Sequence, residues 1–91
     1  MTTFDNIRNF ISSFKKGDII TRKLLMSKDL GNYVAIDQYR NWFTHAGYLK
    51  WIKRGQYEFQ KPPKDTLTSR DLRKEAYPHY KNWNEYKYLK K

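Results

Sequence analysis

The sequence contains no cysteine, which excludes disulfides and thiolate zinc sites and agrees with a reducing compartment. It also lacks any apolar run near the roughly 18 residues that a spanning helix requires. The N-terminus has neither the basic nor the apolar region of a signal peptide, so the expected location is cytoplasmic. Acidic residues are scarce. Nine Asp and Glu face nineteen Lys and Arg, a formal charge of +10. Self-repulsion at that density disfavours the compact state unless a polyanion relieves it. Nucleic acid is the commonest such partner, with an acidic protein or an acidic membrane surface as the competitors.

What is present is aromatic. Phe, Trp and Tyr make up 18% of the chain, and 38% is hydrophobic, too apolar for a chain disordered throughout. The mean hydropathy of −1.02 nevertheless requires a very polar surface. Ninety-one residues allow one compact unit with a modest core, in which aromatic packing carries much of the burden.

Thr2 and Asp5 have the spacing of a capping box, and Phe4, Ile7, Phe10, Ile11 and Phe14 then mark one helical face. Lys15-Lys16-Gly17 predicts the stop of this helix, with cations at the negative end of its dipole and a glycine able to take positive φ. Asp18-Ile19-Ile20 reads as a brief strand. Thr21 is a fair N-cap for a second helix from Arg22 to Leu30, buried through Leu24, Leu25 and Leu30. Gly31-Asn32 forms a turn, and Asn32 can cap a third helix from about Tyr33 to Ala46.

In that helix Ile36, Tyr39, Phe43 and Ala46 point inward, which turns Asp37, Gln38, Arg40, Asn41, Thr44 and His45 outward. The period becomes extended from Tyr48 to Gln60, two strands joined across Arg54-Gly55, a hairpin with a basic tip. Lys61-Pro62-Pro63-Lys64-Asp65 is a connector, because proline lacks the donor a central strand needs. Thr68 and Asp71 form another capping-box pair flanked by Leu67 and Leu72, predicting a fourth helix to about Tyr77 that Pro78 closes.

The order helix, short strand, helix, turn, helix, hairpin resembles the winged helix-turn-helix superfamily over residues 4–60. The residues that carry the likeness are Ile19-Ile20-Thr21, Leu24-Leu25, Gly31-Asn32, Ile36, Tyr39, Phe43, Ala46-Gly47-Tyr48-Leu49 and the turn Arg54-Gly55-Gln56-Tyr57. The expected fold is therefore α+β: a small winged domain over 1–64, with a C-terminal helix and an aromatic, basic extension over 65–91. The resemblance implies that the third helix enters the major groove of DNA while the wing meets the backbone or minor groove. Microbial and phage regulators are frequent among small members of this kind.

The residue chemistry can be weighed separately. Helix three is neutral, Asp37 balancing Arg40, so it offers selectivity more than attraction. Gln38 and Asn41 can pair with adenine, Arg40 with guanine, and Thr44 can meet a thymine methyl or a phosphate; the bland alternative is a solvated helix face. Asp37 counts against base reading, since a carboxylate repels phosphate, although it can accept from cytosine or orient Arg40.

Charge concentrates in the hairpin and its exit. Lys50, Lys53, Arg54, Lys61 and Lys64 against Glu58 leave +4 over residues 48–64. An arginine beside a glycine at a hairpin tip is free to enter a narrow minor groove. Thr21, Arg22 and Lys23 offer a hydroxyl, backbone donors and charge as a phosphate anchor. If about six of these cations neutralise phosphates, affinity falls with a log–log salt slope of about −5.

Tyr57 and Phe59 are expected to pack under the wing, while Trp42 and Trp51 are either core or an exposed patch for a partner. His45 and His79 lack a third ligand at metal spacing, and the carboxylates show no pairing with a histidine, a serine dyad or a glycine-rich loop. No metal or cofactor is implied, and the chain reads as a binding protein and not an enzyme. In the tail, Tyr80, Trp83, Tyr86 and Tyr88 among Lys81, Lys87, Lys90 and Lys91 can either stack unpaired bases or complete the core or a dimer interface.

The expected function is double-stranded DNA binding, as a transcriptional regulator or a phage or plasmid DNA-handling accessory. A homodimer reading two half-sites would be ordinary for such an architecture. The alternatives are a module presenting its basic face to an acidic protein, and an RNA or single-strand binder using the tail.

Overall fold

The computed structural model describes residues 2–77. Residues 78–91, where Pro78 and the aromatic tail fall, lie outside that range.

Helix α1 spans Thr3–Ile11 and opens on the expected box: the Thr2 hydroxyl accepts from the Asp5 N–H at 3.1 Å, and the Asp5 carboxylate accepts from the Thr2 N–H at 3.3 Å. It buries Phe4, Ile7 and Ile11. The helix stops at Ile11, well before Lys15-Lys16-Gly17. Two serine hydroxyls compete for its last carbonyls, Ser12 donating to Arg8 O at 2.6 Å and Ser13 to Phe10 O at 2.7 Å. The N–H groups of Ser13 and Phe14 fall back three residues, to Phe10 O and Ile11 O. Gly17, at φ +97°, acts elsewhere: its N–H donates to Phe59 O at 2.9 Å and leads the chain into the sheet.

Strand β1 is Ile19–Thr21 and helix α2 is Arg22–Ser27, capped by Thr21, whose hydroxyl accepts from the Leu24 N–H at 3.0 Å. Helix α2 ends short of the expected Leu30. The chain leaves helical geometry at Asp29 (φ +53°), and Leu30 is buried from the turn instead.

Helix α3 spans Tyr33–His45, with the Asn32 side chain accepting from Val34 N–H at 2.8 Å and Ala35 N–H at 3.3 Å. The α2–α3 turn presses on the start of α1. A Cβ on Gly31 would lie 2.2 Å from Thr3 Oγ1, and the Asn6 amide donates to Leu30 O at 3.0 Å. Only glycine permits that approach.

Strands β2 (Leu49–Lys53) and β3 (Gln56–Phe59) form the hairpin, and the antiparallel sheet has the order β1-β3-β2. Leu49 faces Phe59 and Trp51 faces Tyr57, with a register shift between Trp51 and Lys53. On the other side of β3, Ile20 faces Tyr57 and Ile19 faces Glu58.

The core lies between this sheet and the helices. Phe4 stacks on Phe43 at 5.8 Å between ring centroids and meets the edge of Tyr39 at 5.3 Å, and Phe43 meets Tyr48 edge-on at 5.6 Å. A last helical stretch, α4, covers residues 69–77 as far as described. The Thr68 hydroxyl accepts from the Asp71 N–H at 3.1 Å, and Leu67, Leu72 and Ala76 are buried. Arg8 ties the approach to α4 down by donating to Leu67 O at 2.9 Å, and the Tyr48 hydroxyl donates to Glu75 at 2.9 Å. Burial, then that carboxylate, pushes the Tyr48 phenol up to about 12.

The result is a small α+β domain of winged-helix-like architecture. Among the described residues, no helix is long and apolar enough to cross a membrane.

Candidate nucleic-acid interface

Helix α3 divides its non-core surface three ways. At 100° per residue, Val34, Asn41 and His45 lie opposite the Ile36–Phe43 stripe, Asp37, Arg40 and Thr44 lean toward the hairpin, and Gln38 and Trp42 lean toward α4. Contacts agree. Gln38 lines a groove of about 300 Å3 with Trp42, Arg73, Ala76 and Tyr77. Trp42 is half-buried, its ring edge-on to Tyr39 at 5.4 Å.

Arg40 is the principal correction to the outward set. It is 9% exposed, because its guanidinium lies 5.1 Å over the Tyr57 ring, pairs with Asp37 and donates to Asn41 Oδ1 at 3.2 Å. A long apolar stem lets an arginine at the margin of the core stripe turn inward once an aromatic face and a carboxylate receive its head. It braces α3 against the hairpin. The Thr44 hydroxyl is likewise turned back, donating to Arg40 O at 2.8 Å.

Asp37 serves two arginines. Besides Arg40 it takes a bidentate pair from Arg22, Nε at 2.9 Å and Nη2 at 3.0 Å, which ties α3 to the start of α2. The hydrogen bonds from Arg22, outweighing partial burial, hold the Asp37 carboxyl below the usual aspartate range, and the same contact raises Arg22.

The cations of the hairpin fall into two groups. Lys53 and Arg54 are exposed at the tip, beside α2: the Arg22 N–H donates to Gly55 O at 2.9 Å, and Thr21 pairs with Gln56. Arg22, Lys23, Lys53 and Arg54 thereby gather at one end of the domain. Lys61 stands apart at the root of the hairpin, its ammonium 4.7 Å over the Tyr48 ring, and Lys50 faces Glu58 across the sheet. Of the proposed anchor, the Thr21 hydroxyl already accepts from Leu24, the Arg22 N–H is taken by Gly55 and two nitrogens of the Arg22 guanidinium are taken by Asp37, which leaves the Lys23 side chain and the remaining edge of the half-exposed Arg22.

Sequence reasoning passed over Tyr33 (64% exposed) and Val34 (76%) in the first turn of α3 and Ile52 (41%) on β2, and left Trp51, which is 58% exposed, open between core and exposed patch. Val34 was detectable as an apolar residue off the Ile36–Tyr39–Phe43 stripe. The choice for Trp51 could not be made from its pattern, since alternation from Leu49 sets it on the inner face of the sheet. Arg73, across the groove from Gln38, came to notice only through the packing of α4.

Among the described residues, no group of three His, Cys, Asp or Glu side chains is placed to hold a metal ion. The surface so assembled is basic and aromatic, suited to a nucleic acid or an acidic protein. Comparison with known proteins gives no match to a protein-family model, a curated protein or a solved structure.

Proposed function

We propose that this chain is a winged helix-turn-helix domain that binds duplex DNA and acts by occupancy, without catalysis. One observation carries the reading: Arg22 and Lys23 at the start of α2 and Lys53 and Arg54 at the hairpin tip converge, joined through the Arg22 N–H to Gly55 O bond. Lys23, Lys53 and Arg54, with Arg22 beside them paired to Asp37, stand at one end of the domain next to the exposed face of α3 and suit two runs of phosphates flanking a groove.

In this reading Asn41 and Val34, central on the outward face, and Gln38 at its margin meet base edges, Val34 through a thymine methyl. Arg40 holds the Asn41 carbonyl, which leaves the amide donors pointing away from it. Arg54 enters the minor groove beside Gly55. Such an occupancy protein would serve as a transcriptional regulator or a DNA-handling accessory.

The exposed Tyr33, Val34, Trp51 and Ile52 favour one other reading, in which the same basic and aromatic face receives an acidic protein.

Fluorescence anisotropy with duplex DNA, single-stranded DNA and structured RNA over a salt series separates these, using wild type and the Lys53→Ala/Arg54→Ala variant. Duplex DNA should bind tightest, and the variant should bind less tightly with a shallower salt slope. If none of the three binds tighter than about 10⁻⁴ M near physiological salt, the DNA reading is refuted.

A further inference from the structure

Trp51 is a large exposed side chain that duplex binding through α3 and the hairpin tip leaves without a task. It faces Tyr57 across the β2–β3 ladder, and Leu49, two residues earlier, faces Phe59. Residues two apart on a strand share a face, so Leu49 and Trp51 belong to the side of the sheet that packs on the helices. Leu49, Phe59 and Tyr57 are all buried there, while Trp51 is 58% exposed. The sheet therefore runs past the helical layer, and its inner face ends in an uncovered indole on an edge strand. Ile52, 41% exposed, follows at the register shift.

The stretch of hairpin that carries this indole is cationic. Lys50, Lys53 and Arg54 give residues 50–55 a net charge of +3. The facing carboxylate, Glu58, lies opposite Lys50 on the outer face and accepts from the Gln60 amide at 2.8 Å. An exposed tryptophan two residues before the basic Lys53-Arg54 tip matches a partner that is both anionic and built of flat π surfaces. Nucleic acid has both properties, an acidic polypeptide chiefly the first.

We propose that Trp51 is a base-stacking wedge: with Arg54 and Lys53 at the phosphates of the minor groove, the indole enters between adjacent base pairs and kinks the duplex. Side chains that do this are apolar and enter from the minor groove beside phosphate-binding cations, and the duplex bends toward the major groove as the step unstacks. The hairpin is rigid in the required sense, because β3 is paired on both sides and its turn is tied to α2 through Gly55 O. The proposal rests on the duplex-binding reading above.

The test uses the full chain and a short duplex recovered by selection from random sequences, with 2-aminopurine walked along it and a fluorophore pair on its ends. Wild type should raise 2-aminopurine emission severalfold at one step and shorten the end-to-end distance. Trp51→Ala should abolish both and weaken binding roughly tenfold, by loss of one stacked base, with the salt slope unchanged. Trp51→Phe should keep part of each signal. Trp51→Thr, which retains strand propensity, stands in if the alanine variant does not melt like wild type.

A duplex bound equally by wild type and Trp51→Ala, unkinked in both, overturns the wedge and leaves duplex binding standing. Absence of any duplex binding by wild type overturns the reading beneath it. Weakened binding of Trp51→Ala to polyglutamate or to anionic vesicles, with duplex binding intact, overturns the wedge in favour of a different partner.

Discussion

Removing the Asp37 carboxylate should unfold this domain at markedly lower temperature, through Arg40. The Arg40 guanidinium is 9% exposed between Asp37, Asn41 and the Tyr57 ring, and its Nε is buried with no hydrogen-bond partner among the described residues. Breaking a buried ion pair from one side costs about 3–5 kcal/mol, because the surviving charge stays in a poor environment. Asp37 is itself 32% exposed, so water screens the pair and a loss of about 2 kcal/mol is the better figure. For a domain of this size, about 1 kcal/mol moves Tm by roughly 4–8 °C, so Asp37→Ala should melt about 8–16 °C below wild type. Asp37→Asn, which keeps an acceptor toward Arg40, should lose about half as much.

The diagnostic partner is Arg40→Met, which replaces the charge by an apolar chain over Tyr57. Alone it should be mild. Combined with Asp37→Ala it should recover much of the loss, because the stranded charge is gone. Thermal melts followed by circular dichroism at fixed pH and salt read all five proteins. If Asp37→Ala melts within about 2 °C of wild type, or if Arg40→Met fails to rescue it, Arg40 does not brace the domain as argued.

The same carboxylate sets an acid limit: its folded-state pKa lies below that of an ordinary aspartate, so its contribution is complete above the ordinary value and is lost as pH falls through the folded pKa. Melts taken below about pH 4 should therefore show a smaller gap between wild type and Asp37→Asn than melts at neutral pH. Gly31→Ala should destabilise by about 1–3 kcal/mol, since φ is +149° and the new Cβ would meet Thr3, and Thr3→Ala should return only the steric part. Denaturant titration distinguishes the two contributions. Asn32→Ala removes the acceptor for two N–H groups of α3 and should cost about 1 kcal/mol, read as a lower midpoint at unchanged m. The Lys53→Ala/Arg54→Ala variant should reduce the log–log salt slope of duplex binding by about 2.

Where the fold is decided by neighbours in the chain, it was readable. Thr2 and Asp5, Thr21, Asn32, Thr68 and Asp71 mark helix starts through bonds spanning two or three residues, and each is made. Helix ends were less legible. Lys15-Lys16-Gly17 resembles a helix terminus, yet Ser12 and Ser13 end α1 earlier, and Gly17 turns the chain toward a strand distant in sequence.

The interface was harder still. Arg40 has a charged head, which suggests solvent, but its receivers are Asp37 and the remote Tyr57, and only the packed hairpin brings the ring over it. Trp51 was left open between core and exposed patch, and it proves to lie on the inner side of β2 yet to be exposed. How far the helices extend along that side is a property of three elements together, and no local pattern encodes it. Lys61 was grouped with Lys53 and Arg54 as one set of wing cations because it is near in sequence, whereas an antiparallel hairpin returns it to the root beside Tyr48, away from the tip.

The single bond from the Arg22 N–H to Gly55 O makes a gauge of the basic end of this domain. Hairpin tip and α2 are not two arms that could each settle on a polyanion independently. They are the jaws of a fixed calliper, and the cost of aligning them is met when the chain folds and not when a ligand arrives. A duplex offered to such a calliper must supply the matching groove width by its own deformation. Discrimination would then follow the stiffness of the DNA, at positions that no side chain touches.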